Sequence, residues 1–248
     1  MDRFTSVFTL PLFLIGILLA SHACYGTEKE AKTLLLFEAN IYRTLGDMSD
    51  YIFKEKDQKT LQSLKQTIAT GDKQLQVFAQ RWPEIENKWR DVIHLMHSDL
   101  IDDKNSDNVK FPRRYEVAQQ ALTDEVKKAR EQIALSEISA SERPVLMALI
   151  HLEQIVGGYT FYNINVFGGF SVPDTGIEDY VALFKQEIDN LNKVNQKLAG
   201  KLQRKWRFIE KTVLNYNQNS AVFIVRRTAE SLRDITTSGL LSEQLAAE

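Results

Sequence analysis

Apolar residues recur along this chain with helical spacing, most clearly between Ile177 and Val213. They fall at Ile177, Val181, Phe184, Ile188, Leu191, Leu198, Leu202, Trp206, Ile209 and Val213. The steps alternate between three and four, apart from one gap of seven across Asn195 and two successive steps of four around Leu202. This is the seam of an amphipathic helix, and it predicts one long element from Ile177 to Val213. A second seam runs through Leu61, Leu64, Ile68, Gly71, Leu75, Phe78, Trp82, Ile85, Trp89, Val92 and Met96. Pro83 interrupts it without changing the phase, which predicts a kink or short break between roughly collinear segments. Each seam carries the same local sequence, Lys88-Trp89-Arg90 and Lys205-Trp206-Arg207, with the tryptophan inward.

Shorter periodic stretches fill the rest of the chain. A first helix is expected over 28–56, with Leu34, Ile41, Leu45, Met48 and Ile52 inward and a capping box from Thr27 to Glu30. The polar, acidic stretch Asp99–Pro112 is the best linker. A helix from Arg113 to about Leu135 buries Leu122, Val126, Ala129 and Ile133, and Ser136–Arg143 forms a second connection. Pro144 then suits the first turn of a helix using Val145, Leu149, Leu152, Val156 and Tyr159. Pro173-Asp174-Thr175-Gly176 is a turn. The last helix runs from about Ser220 to Gly239, with Val222, Val225, Ala229, Leu232 and Thr236 on one face.

The fold class is therefore all-α, a bundle of long helices. Residues 27–135 and 136–248 divide it into two helical units of one elongated bundle. Both follow a three-helix plan with the longest helix in the middle. That plan admits either an internal duplication or two units alike only in helical composition.

Composition changes this picture mainly at the N-terminus. Val7–Ala20 is an apolar stretch behind Arg3, and Ser21-His22-Ala23 is a small-x-small cleavage site, so residues 1–26 are expected to be a signal peptide. A lipid on Cys24 and an uncleaved anchor are the alternatives, the first weakened by Ser21 where an aliphatic residue is usual. Cys24 is the only cysteine, so no intrachain disulfide forms and the fold rests on its core. No Asn-x-Ser/Thr sequon occurs, which favours a bacterial periplasm. A formal charge of −2 provides no overall attraction to nucleic acid or an anionic membrane.

Three constellations carry candidate chemistry. The stretch Gly157–Gly169 reads GGYTFYNINVFGG, and its paired glycines predict an interruption of the helix. Tyr159, Phe161, Tyr162, Asn163 and Phe167 are the candidate ligand- or partner-binding residues there, rings for apolar faces and amides for polar groups. The plainer account is that this run closes the end of the bundle. Lys197, Lys201, Arg204, Lys205, Arg207 and Lys211 form a basic helix end, and Arg204, Arg207, Arg226 and Arg227 are the candidate anion-binding set. Its plainer account is a solvated face with cations at a helix C-terminus. A straight helix from Ile177 separates the two patches by roughly 45 Å, too far for one small molecule. His94 and His97 lie three apart on a helix, with Asp99, Asp102 and Asp103 following and His151 as a third candidate ligand for a metal. A pair of surface histidines near a helix end is the simpler account, because no third ligand is fixed by spacing, so no metal or cofactor site is assigned. Trp82, Trp89 and Trp206 sit on the seams and are expected in the core.

No catalytic set is present: there is no phosphate loop, no CxxCH, no HExxH and no serine elbow. An enzyme is not expected. Asn219-Ser220-Ala221-Val222-Phe223 leads into Arg226-Arg227-Thr228-Ala229-Glu230 in the last helix; with the signal-like N-terminus, the paired helices and the seam tryptophans, this resembles the extracytoplasmic helical sensor domains of type IV pilus chemoreceptors. The resemblance covers roughly 33–232. This chain lacks the second transmembrane helix, the cytoplasmic signalling hairpin and the Arg- and Met-containing motif expected near the first sensory helix. The resemblance implies a free-standing periplasmic binding protein for an unknown small ligand or envelope protein. Membrane contact would come only through a lipid on Cys24 or an uncleaved signal. A metal-binding protein using His94 and His97, and a structural adaptor that homo-oligomerises through its seams, are the alternatives.

Overall fold

The computed structural model describes residues 9–102, 111–133, 135–167, 176–218 and 220–247. The side chains of 9–27, 137, 166–167 and 241–247 are outside that description. The expected signal peptide and the side chains of Cys24, Phe167 and Phe170 therefore lie outside the described side chains. So does Asp103 of the acidic stretch after His97.

The described residues form eight α-helices and no strand: α1 Thr9–Phe53, α2 Gln58–Phe78, α3 Pro83–Met96, α4 Phe111–Gln132, α5 Glu142–Phe167, α6 Ile177–Val194, α7 Gln196–Leu214 and α8 Val222–Ala247. A π-turn over His97–Ile101 extends α3, and a short 3-10 turn precedes α5. Several expected boundaries shift. α1 passes through Thr27 instead of starting there. α5 is capped reciprocally by Ser139 and Glu142: the Glu142 N–H donates to the Ser139 hydroxyl at 3.1 Å, and that hydroxyl donates to the Glu142 carboxylate at 2.7 Å.

Neither long seam is one long helix. α6 and α7 form a hairpin reversing at Asn195, whose backbone leaves the helical region (φ −145°, ψ 76°) and whose side chain caps α7 by accepting from the Leu198 N–H at 3.0 Å. The reversal brings the rings of Phe184 and Trp206 to 4.8 Å and joins Lys185 to Glu210 at 2.8 Å. α2 and α3 reverse likewise through 79–82, so that the Trp89 indole N–H donates to Asp72 at 2.8 Å. Residues 72 and 89 would be about 25 Å apart on a continuous helix. The apolar phase survives both turns because each arm buries the same stripe.

Each half is therefore an up-down-up-down group of four helices, not three. One core cluster joins α1–α4 around Phe37, Phe78, Trp89 and Tyr115, and another joins α5–α8 around Tyr159, Phe184, Trp206 and Ile209. Each first helix carries a buried glutamate answered by an arginine of the fourth. Arg130 of α4 reaches both oxygens of Glu38 at 2.9 and 3.0 Å, and Arg233 of α8 grips both oxygens of Glu153.

The most extensive helix contact in the molecule is between α1 and α5, which run parallel at its centre. Lys32 meets Glu142 near one end of this pair at 2.7 Å, and Gly46 faces Gly157 further along. Between those points Ala31, Leu35 and Ala39 pack on Leu146, Leu149 and Ile150. Gly157 and Gly158 do not interrupt α5, which continues through Phe167; Gly168 and Gly169 lie outside the described residues. A Cβ on Gly157 would lie 2.6 Å from the Tyr42 carbonyl oxygen, so glycine is what lets the two backbones approach. Helix propensity is sacrificed here for packing.

Candidate interaction face on α7

The structure largely covers the described side chains of the aromatic run, residues 159–165. Tyr159 is fully covered, Phe161 and Asn163 are buried, and Tyr162 is half-buried. The Tyr159 hydroxyl accepts from the Ala221 N–H at 2.8 Å, and the Asn163 amide donates to the Tyr159 carbonyl at 2.8 Å. Tyr162 packs edge-on against Tyr216 with ring centres 4.7 Å apart. An accessible aromatic patch is thus replaced by core packing that ties the end of α5 to the α7–α8 turn. The expected 45 Å separation disappears too, because the α6–α7 hairpin returns the end of α7 to the end of α5.

Arg226 also leaves its predicted set. It lies between the halves, paired with Asp47 of α1 and 3.4 Å from Asp50. Thr67 donates to Asp47 at 2.6 Å, and Lys54 reaches Asp50 at 3.0 Å. Burial alone would push the Asp47 carboxyl up, but Arg226, Thr67 and Arg43 outweigh it and hold Asp47 below the usual carboxylate range. Arg226 is consumed internally, whereas Arg204, Arg207 and Arg227 are exposed.

What remains is the outer face of α7. Leu198, Leu202, Trp206, Ile209 and Val213 are buried and fix the rotation of the helix. That rotation turns Lys197, Lys201, Arg204, Phe208 and Lys211 outward in steps of four, three, four and three, a stripe roughly 21 Å long. Lys205 and Arg207 flank it. None of these six cations has an acidic partner within 4 Å among the described residues, and the one acid of the helix, Glu210, is committed to Lys185. Elsewhere some surface cations are answered, Arg81 by Glu30, Arg90 by Glu86, Arg113 by Glu116, Arg114 by Asp99 and Lys128 by Glu125, while others such as Lys65, Lys73, Lys127 and Arg143 have no acidic partner among the described residues; α7 differs in gathering six such cations on one helix. Phe208, in the middle of the stripe, is 71% exposed, more than any other large hydrophobic residue described. Leu214, Phe223 and Ile224 are exposed on either side of the α7–α8 turn.

Sequence reasoning found the cations and missed Phe208. Its signal is an apolar residue out of phase with the seam, one position before Ile209. Beside the stripe, a groove of about 450 Å3 between α7 and α8 is lined by Lys197, Leu198, Lys201, Ile235 and Gly239, among others. A second groove of about 530 Å3 between α3 and α4 includes His94, Leu95, Arg113, Arg114 and Val117.

The histidines do not converge. His94 is exposed at that second groove, His97 lies 3.6 Å from Asp102, and His151 is buried in α5 against Gln154 at 2.8 Å. No group of three or more His, Cys, Asp or Glu able to hold a metal occurs among the described residues. Among the same residues, no helix is long and apolar enough to cross a membrane. No family profile, curated protein sequence or solved structure gives a significant match to this chain.

Proposed function

We propose that this chain is an exported, non-enzymatic, sensor-like binding protein of the periplasm that engages an anionic partner through the outer face of α7. The observation that carries the reading is the row of six cations without internal partners, on a helix whose rotation is fixed by a buried seam. Exposed charge of one sign, left unneutralised on a protein of formal charge −2, raises the encounter rate with an oppositely charged partner. The apolar segment 7–20 supports export, and the absence of a recognisable catalytic motif supports binding over catalysis.

Fluorescence anisotropy with labelled poly-glutamate is the test. Wild type is expected to bind at 50 mM salt and to lose at least tenfold in affinity at 300 mM, as screening requires. Lys201→Glu/Arg204→Glu/Lys211→Glu should abolish binding with an unchanged melting temperature. Absence of wild-type binding, or equal binding by the variant, would refute the assignment.

A further inference from the structure

We infer that the partner of the α7 face is an acidic amphipathic helix of another protein, laid along the stripe with its apolar side on Phe208. This rests on the anionic-partner reading above and specifies the shape of that partner. The periodicity of the face is the first reason. Lys197, Lys201, Arg204, Phe208 and Lys211 form one straight ridge with the spacing of a coiled-coil seam, so residues i, i+4, i+7 and i+11 of a second helix can meet them in register. Apolar residues at those positions would pack on Phe208 and the lysine stems, and acids flanking them, at e and g, would form the pairs that set partner choice and orientation in helix pairing.

The second reason is the placement of apolar surface. Phe208 stands alone in the charged row, with cations one turn before and after it. A ring so exposed is a knob looking for a hole, and a partner helix offers one between four of its side chains. The α7–α8 groove beside Lys197 and Lys201, with Leu198 and Ile235 in its lining, receives side chains from the other end of the same helix. A lipid surface fits less well, because interfacial binding needs a broad apolar face and this stripe offers one ring. An extended polyanion would use the cations and leave Phe208 unused.

Three probes distinguish these cases: a 21-residue helical peptide with leucine at a and d and glutamate at e and g, poly-glutamate of equal charge, and vesicles of phosphatidylglycerol and phosphatidylethanolamine. Isothermal titration of the full chain is expected to give at least tenfold tighter binding to the helical peptide than to poly-glutamate. Phe208→Ala should weaken the helical peptide fivefold or more and leave poly-glutamate unchanged, with unaltered circular dichroism because the ring is exposed. Lys201→Glu/Arg204→Glu should weaken both. Equal affinity for the two peptides, or indifference to Phe208→Ala, overturns the helical partner while leaving an anionic one standing. Binding to vesicles alone overturns the helical partner in favour of lipid. Binding to none of the three overturns both readings, and a salt-sensitive dimer detected by sedimentation, lost in Arg204→Glu, would assign the face to a second copy of this chain.

Discussion

Burial holds the His151 imidazole below its usual pKa. The hydrogen bond to Gln154 and the charge of Glu187 pull it back up in part, and Arg130 pushes it further down. The ring is therefore neutral in the folded chain. A histidine depressed in this way contributes stability that is fully present above its unfolded pKa of about 6.5 and is lost as the pH falls through the folded value. Wild type should lose urea stability as the pH falls below about 6.5, with a slope of up to about 1.4 kcal/mol per pH unit. His151→Gln should flatten that window; an unchanged slope would mean the imidazole is protonated in place. Two buried acids are shifted in opposite directions. Asp47 is depressed, so its contribution is lost on acidification. Glu38 is raised because burial outweighs Arg130, so its contribution is present below the unfolded pKa and lost as the pH rises through the folded one. The sequence revealed none of these partners, since Glu38 and Arg130 stand 92 residues apart. The burial of Trp82, Trp89 and Trp206 was legible because each sits on its seam.

Two helical glycines should respond in opposite ways to the same substitution. Gly157 of α5 faces the α1 backbone at a distance that leaves no room for a Cβ, so Gly157→Ala must push two helices apart and should cost about 1–3 kcal/mol. Gly200 of α7 has nothing within 4 Å of such an atom, and Gly200→Ala should stabilise by about 0.5–1 kcal/mol through helix propensity alone. Thermal melts of the two variants check both signs, and stabilisation by Gly157→Ala would mean that α1 and α5 are not in close contact. The same pair shows what a periodic pattern conveys about an element. It gives the buried face of α6 and α7 correctly, as it does for α2 and α3, but not the direction of the next segment. A hairpin and a straight rod bury the same stripe, so the phase carries no sign of the reversal at Asn195. The sign was local: a polar residue at a seam position, able to cap the following helix. The stripe on α7 was legible as charge, but its freedom from internal partners was not, because that depends on which acids the hairpin brings near.

At the scale of the whole molecule, the two four-helix groups meet along α1 and α5, and Arg226 reaches across from α8 to the carboxylates of α1. Its guanidinium has 12% side-chain exposure and sits between Asp47 and Asp50, which are 3% and 8% exposed. Replacing a buried ion pair as a whole is often tolerated, whereas removing one partner strands charge in a medium that cannot solvate it. Arg226→Met leaves Asp47 with Thr67 and a distant Arg43, and Asp50 with Lys54. The expected cost is about 3–5 kcal/mol at pH 7, and adding Asp47→Asn should recover part of it. The tryptophans show how far the loss spreads. Trp82 and Trp89 report on the first group, and Trp206 reports on the second. In Trp206→Phe and in Trp82→Phe/Trp89→Phe backgrounds, urea unfolding followed by fluorescence should show the Arg226→Met penalty equally in both groups. The reason is the extensive parallel α1–α5 contact, which should make the two groups unfold as one cooperative unit. A drop confined to the Trp206 signal would mean that the groups unfold separately and that Arg226 stabilises only its own.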